Sequence, residues 1–334
     1  MSLPSSQKRK QAGRSFKIGT VLVLGLSIVL AVAACSTKPA TITTTNTPTP
    51  VITATTYPVT VTDLLGRSVQ IAQKPVRIVT LLPTATETLY QVGGTAIGRD
   101  TSSKYPTGVE TLPTVGGAYN PSMEAVAALN PDLIIIEALS QSNLIPALEK
   151  LGAPVVAVRA ASLDDVYSSL TLVSKIIDKN ETAAQAIAGI KSRIEAVKKA
   201  TRAGRSVLIL ISDANRNIYA AKPASYPGTL VALLGQTNPA AGIPDSGPYP
   251  GFGLLTAEQA ITMNADVIFT ISPAPAPAPK LSTTLAQVPG FNQMAAVKNG
   301  KVKELDPVLF LQAQGPRIAD AAEQMAGILN EVAP

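Results

Sequence analysis

The chain has 334 residues, of which 46% are hydrophobic and 15% charged, with one cysteine, no histidine and no tryptophan. Without histidine there is no Ser-His-Asp triad, no HExxH zinc site and no imidazole general base, and a lone cysteine forms neither an internal disulfide nor a cysteine metal cluster. The formal net charge of +6 does not point to nucleic acid, because its surplus sits at the amino end and only 4% of the residues are aromatic, too few for a basic surface on which bases stack.

Residues 1–34 have the layout of an export signal. Lys8, Arg9, Lys10, Arg14 and Lys17 precede a nearly pure apolar run from Ile18 to Ala34. About 17 residues is at the lower limit for spanning a bilayer, so an uncleaved membrane helix is the competing reading. The exit sequence Val32-Ala33-Ala34-Cys35 resembles a bacterial lipobox, which implies cleavage before Cys35 and a lipid on its sulfur. Acyl chains contribute about 0.8 kcal/mol per buried methylene, so two or more would hold the protein on a membrane. Loss of the five basic residues would bring the net charge from +6 to +1. From Cys35 to about residue 56 the Thr- and Pro-rich sequence reads as a tether.

Short β-branched runs then alternate with helical patterns, as in parallel sheets covered on both faces. VRIVTLL (76–82), DLIIIE (132–137) and PVVAVR (154–159) predict strands, whereas TATETLYQVGG (84–94), PSMEAVAALN (121–130) and NLIPALEKLG (143–152) predict helices. Together they make a first lobe over 57–161. The stretch 162–203 is helical throughout, with Asn180 as a possible break, and reads as a connector. From 204 to 334 the βα pattern resumes: SVLILISD (206–213), NIYAAK (217–222), SYPGTLVALLGQ (225–236), TAEQAITMN (256–264), DVIFTIS (266–272) and KVKELD (301–306), then a helix from about Pro316 to Val332. The PAPAPAPK run (273–280) predicts a polyproline-like excursion.

One pattern occurs twice. Ser122, Glu124, Asn130, Asp132 and Ile134 recur 134 positions later as Thr256, Glu258, Asn264, Asp266 and Ile268. Each copy predicts a hydroxyl helix cap, a glutamate in the first turn, a two-turn helix and a strand opened by aspartate. A glutamate there favours the helix dipole by about 0.3–1 kcal/mol, which is one explanation. Twin acidic knobs for a two-fold symmetric partner are the other.

The segment from Tyr57 onward resembles the ferric-siderophore, haem and cobalamin class of solute-binding proteins, which feed ATP-binding-cassette importers. The likeness is carried by VTVTDLLGRSVQIAQKPVRIVTLLPTATETLYQVG, VGGAYNPSMEAVAALNPDLIII, GLLTAEQAITMNADVIF, and FNQMAAVKNGKVKELD followed by GPRIADAAEQMAGIL. It implies a class III α/β fold, with two doubly wound lobes joined by one long rigid interdomain helix, and a binding protein rather than an enzyme. It also implies an extracytoplasmic, membrane-anchored monomer, a small metal chelate as ligand, no cofactor, and a permease dimer with its ATPases as partner. Glu124 and Glu258 then stand where the family presents glutamates to permease arginines.

In such a fold ligands lie at loops beyond the carboxyl ends of strands. Those positions nominate Pro83, Thr84 and Thr86; Tyr119 and Asn120; Asp213 and Arg216; Tyr226, Tyr249 and Phe252; and Phe310 and Arg317. Arg216 and Arg317 suit carboxylates or catecholates, although Arg317, at a predicted helix start, equally suits a structural brace. Tyr119 and Tyr249 are as readily turn residues as ligand contacts. Bare zinc or manganese is usually held with imidazole, and haem would need Tyr or Met as ligand. A ferric siderophore or cobalamin brings its own metal ligands. A carboxylate-pair hydrolase, drawn from Glu87, Glu137 and Asp213, is the alternative from another class.

Overall fold

The computed structural model describes residues 54–274 and 277–332. The export signal, Cys35 and the tether up to residue 53 lie outside the described residues, as do two positions of the Pro/Ala run. The first sheet is preceded by a hairpin, β1 (Val59–Thr62) and β2 (Ser68–Ile71), which pair antiparallel. Asp63 fixes its turn: its carboxylate accepts from the Leu65 and Arg67 amides and the Arg67 guanidinium, and from the Ala157 amide at 3.3 Å. The chain continues through β3 (Ile78–Thr80), α1 (Pro83–Gln91), β4 (Gly98–Arg99), the short pair β5 (Gly116–Gly117) and β6 (Asn120–Pro121), α2 (Met123–Ala128), β7 (Leu133–Glu137), α3 (Ala138–Gln141), α4 (Ile145–Leu148) and β8 (Val155–Val158). Strands β4-β3-β7-β8 form a parallel sheet in that order.

Period two explains the all-apolar strands. In β7, Leu133 and Ile135 join one apolar cluster while Ile134 and Ile136 join another on the opposite face, so every side chain is buried. NLIPALEKLG is not one helix. Only Ile145–Leu148 is α-helical, flanked by 3-10 turns. Pro146 removes a donor near its start, and Gly152, at φ 83°, ends the segment.

The predicted connector holds two helices, α5 (Leu163–Ile177) and α6 (Asn180–Ala200), divided at Asp178, whose φ is 56°. Ser162 caps α5 by accepting from the Asp165 amide at 3.2 Å, and α5 packs on α1 and β8 of the first sheet. Only α6, 21 residues and about 32 Å long, runs on toward the second sheet, where it packs on the last helix. The division falls beside Asn180, where the sequence suggested a break, and both helices carry the same apolar period on either side of it.

Beyond it come β9 (Val207–Ser212), β10 (Ile218–Ala221), α7 (Tyr226–Leu233), β11 (Phe252–Leu254), α8 (Ala257–Met263), β12 (Val267–Ile271), α9 (Leu281–Thr284), α10 (Ala295–Lys298), β13 (Val302–Leu305) and α11 (Ile318–Glu331). The second sheet, β11-β10-β9-β12-β13, is mixed: β10 runs antiparallel to β9 and β11, and β12 parallel to β9 and β13. Between Ser212 and Ile218 there is no room for the dozen or more residues of a parallel crossover, so NIYAAK turns back as a hairpin strand. Here too the strands alternate, with Val267, Phe269 and Ile271 on one cluster and Ile268 on the other. The first of these clusters extends unbroken from β1 and α1 through α5 and α6 to α7 and α11, so the inner faces of both lobes share one core.

The repeated pattern folds as a repeated unit. Ser122 and Thr256 accept from the amides of Ala125 and Gln259 at 3.1 and 3.2 Å, and Thr256 closes a full capping box. Asn130 and Asn264 turn the chain at φ 44° and 43°. Asp132 and Asp266 then fasten their strands to the first strand of their sheet, accepting from the amides of Arg77 and Ser206 at 2.8 Å each.

Candidate ligand-binding site

The carboxyl ends of the two sheets carry the loops on which most of the nominated residues lie, and one ion pair joins the lobes there. Arg317, which opens α11, donates to both carboxylate oxygens of Glu87 on α1, at 2.8 and 2.6 Å. The two residues are 230 positions apart, with side chains only 15% and 2% exposed. A planar guanidinium meets a carboxylate in this two-pronged way and no lysine can copy it. The other side of the pair is covered by the Tyr105 ring, 4.4 Å from the guanidinium carbon. Burial pushes the Glu87 carboxyl up from its ordinary value against the opposing pull of Arg317. Tyr226, buried at the start of α7, feels the same two charges, and burial pushes its phenol far up. Arg317 is therefore a brace between lobes, the structural role its position allowed.

Pro83, Thr84 and Thr86 are all buried in the first turns of α1. Thr84 lies where the Gly315 backbone approaches: a Cβ on Gly315 would stand 3.9 Å from the Thr84 Cα. Thr86 is a corner of a hydroxyl network, bonded to Thr80 at 2.7 Å and to Ser103 at 2.9 Å, and Ser103 in turn donates to Asp100. That network holds the loop that carries Tyr105. Thr86, Phe252 and Phe310 were nominated by position, but each is at most 2% exposed, so they support the surface rather than form it. Phe310 turns inward because Val308–Gln312 winds as a π-helical turn.

Tyr119 is 69% exposed and Asn120 is exposed beside it. Their loop is fixed from beneath by buried Gln141, whose side-chain amide donates to the carbonyls of Leu81, at 2.7 Å, and Ala118. Partial burial and then the carboxylates of Glu137 and Asp100 push the Tyr119 phenol up, which places two negative groups near it. Leu139, 61% exposed, stands two residues beyond Glu137.

On the second lobe Asp213 organises the β9–β10 hairpin. It accepts from the amides of Asn215 and Asn217 at 2.9 Å, from the Asn217 side chain at 2.8 Å and from the Tyr219 hydroxyl at 3.0 Å, and these bonds, the Asn217 side chain first, hold its carboxyl below the ordinary value. Arg216 is exposed near the hairpin tip at φ 65°. Tyr249 donates to the Ser212 carbonyl at 3.3 Å and packs edge-on to Tyr219 and Phe252, with centroids 5.9 and 6.0 Å away.

No carboxylate pair is left for hydrolysis among the three nominated acids. Glu87 is held by Arg317, Asp213 by its hairpin, and Glu137 caps α3, accepting from the amides of Leu139 and Ser140. Among the described residues no cluster of acids, histidines or cysteines is placed to hold a metal. Glu124 and Glu258, each in the first turn of its short helix, are exposed, and their carboxylates have no hydrogen-bond or ion-pair partner among the described residues. Tyr105 and Gln141 carried no sequence signal, since they become notable only through contacts distant along the chain, and Leu139 only through its exposure.

Residues 78–309 match the family model described as "Periplasmic binding protein". Among curated proteins the chain is 27% identical to the "Uncharacterized ABC transporter substrate-binding lipoprotein YvrC" of Bacillus subtilis, over 81% of this chain and 85% of that one. It is 24% identical to a "Cobalamin-binding protein" of Halobacterium salinarum, over 94% and 85%. Among solved structures, the petrobactin-binding protein YclQ of Bacillus subtilis superposes with a TM-score of 0.70 at 23% identity, over 82% of this chain and 98% of that one, which shows the shared fold. With a match across most of its length and two βα lobes meeting at the carboxyl ends of their strands, the chain belongs to the periplasmic binding protein family, whose members bind solutes rather than transform them.

Proposed function

We propose that this protein is the lipid-anchored, extracytoplasmic substrate-binding component of an ATP-binding-cassette importer, and that it captures an iron complex, a ferric siderophore, or a related metal chelate between its lobes. The observation that carries the reading is the pair of exposed glutamates, Glu124 and Glu258, whose carboxylates have no partner among the described residues, at equivalent positions of the two repeated units. A receptor with arginines related by two-fold symmetry would meet both knobs at once, and exposed charges of this kind steer docking. Cys35 supplies the anchor, residues 35–56 the tether, and the protein works as a monomer. A transmembrane segment is not needed for attachment, and among the described residues no helix is long and apolar enough to cross a membrane.

Cobalamin is the second reading, favoured by the cobalamin-binding relative that aligns over nearly the whole chain. Both readings make the same demand on the glutamates. The double variant Glu124→Lys/Glu258→Lys should abolish chelate uptake by cells while the purified protein still binds chelate and melts at the wild-type temperature. Unchanged uptake would remove the docking role.

A further inference from the structure

We infer that the surface formed by the carboxyl-end loops of the two sheets selects a near-neutral metal chelate with a broad apolar face and discriminates against polyanionic chelates. The inference rests on the chelate-binding reading above and adds the charge class of the ligand. Its first support is electrostatic. The best-placed cation, Arg317, is already neutralised by Glu87 at 2.6 Å. Arg159, just past the end of β8, is likewise paired with Asp165 at 2.6 Å. Among the described residues on the loops that leave the carboxyl ends, the charged side chains of Lys104, Arg216 and Lys280 have no partner, but they sit on three different loops. Against them stand the carboxylates of Asp100, Glu137, Asp213 and Asp306, all held by donors of their own loops. Polyanions are recognised by converging guanidinium forks or ammonium groups, and these loops offer a balance of charge with no such convergence.

The second support is the exposed apolar surface. Large hydrophobic side chains left singly in water are ordinary, whereas a group of them rimmed by polar residues marks a binding surface. Tyr105, Tyr119 and Leu139 are 45%, 69% and 61% exposed on neighbouring loops of the first lobe, and Val308, 40% exposed, follows the last strand of the second. The Tyr105 loop is held by the Ser103–Thr86 hydroxyls and the Tyr119 loop by Gln141, while Leu139 sits on α3, whose start Glu137 caps. A surface fixed in this way in the free protein is pre-organised for a ligand. The side chains it offers are phenol, isobutyl and isopropyl groups with exposed Asn120 beside Tyr119, which suit a corrin or a hydroxamate-wrapped iron. Three hydroxamates cancel the charge of ferric iron; three catecholates leave a trianion.

The test is calorimetric titration of the full chain in detergent with cyanocobalamin, a ferric trihydroxamate and a ferric tris-catecholate, each at low and high salt. A near-neutral chelate should bind at least about tenfold tighter than the tris-catecholate, with an affinity that salt barely changes. In the variant Tyr119→Arg, a change at an exposed position, the preference should move toward the tris-catecholate by about tenfold. Equal or tighter binding of the tris-catecholate to the unaltered chain would overturn the inference, as would an unmoved preference in the variant. Binding of none of the three would instead sink the chelate reading and this inference with it.

Discussion

The two lobes repeat one folding unit and then part company at the edges that face each other. In each, a capped helix of six or seven residues, an asparagine in the left-handed region and an aspartate fastening two strands recur with the same spacing. Beyond the strands the likeness ends. The first lobe leaves Tyr105 and Tyr119 in solvent, while the second packs Tyr219, Tyr249 and Phe252 against one another and ties Tyr219 to Asp213. The repeated part is what a symmetric partner would need, and the divergent part is what an asymmetric ligand would need. On the proposed function, this difference would separate docking from recognition within one chain.

The join between the lobes is where the largest effect is expected. Glu87→Ala leaves the Arg317 guanidinium buried without its carboxylate, and removing one member of a buried pair costs about 3–5 kcal/mol. We expect urea unfolding to show a loss in that range. By contrast, Arg67 and Glu149, paired at 2.9 Å with side chains 27% and 53% exposed, should yield less than about 1 kcal/mol on Glu149→Ala. A loss of similar size at both positions would mean that the inter-lobe pair is no more than a surface contact and that the lobes are held by their shared core alone.

A smaller effect tests the repeat. Asn130 and Asn264 hold φ values of 44° and 43°, where a side chain with a β-carbon and no local hydrogen bond costs about 1–2 kcal/mol. Alanine at either position should destabilise by about 1 kcal/mol, and glycine, which adopts this region freely, should be close to neutral. Equal losses in the two lobes would sharpen the equivalence of the units. A loss confined to one lobe would show that the other asparagine is held by something besides its backbone.

The sequence made the repeat legible because caps, turns and strand starts are local signals. Strands β3, β7 and β8 were equally plain, since a parallel sheet buried on both faces needs unbroken apolar runs. Two errors have physical causes of their own. NLIPALEKLG has helical spacing but contains Pro146, and NIYAAK reads as one more strand of a parallel series although the five residues between Ser212 and Ile218 allow only a hairpin. The β1–β2 hairpin depends on Asp63 reaching both Arg67 and the Ala157 amide, a closure no window of sequence displays. At the candidate site the loops were legible and the side-chain roles were not. Whether Arg317 meets a ligand or Glu87, and whether Phe310 or Tyr119 reaches solvent, is decided by contacts between residues far apart in the chain.

An exposed cluster of charges joins α6 to α11 and gives a pH dependence whose sign is fixed. Arg193 donates to both oxygens of Glu323 at 2.8 and 2.6 Å and also to Asp320. All three side chains are 38–44% exposed, so Arg193→Ala should cost no more than about 1 kcal/mol. The hydrogen bond from Arg193 holds the Glu323 carboxyl below its ordinary value. A carboxyl lowered on folding adds stability above its unfolded pKa, and that stability is lost as the pH falls through the folded value. The gap between wild type and Arg193→Ala should therefore be constant near neutrality and close on acidification below the ordinary glutamate range. Melting curves over that range check it. A gap that persists in acid would mean that the arginine acts through the packing of its methylene stem against α11 rather than through charge, leaving the Asn330–Ala200 hydrogen bond as the polar tie between the two helices.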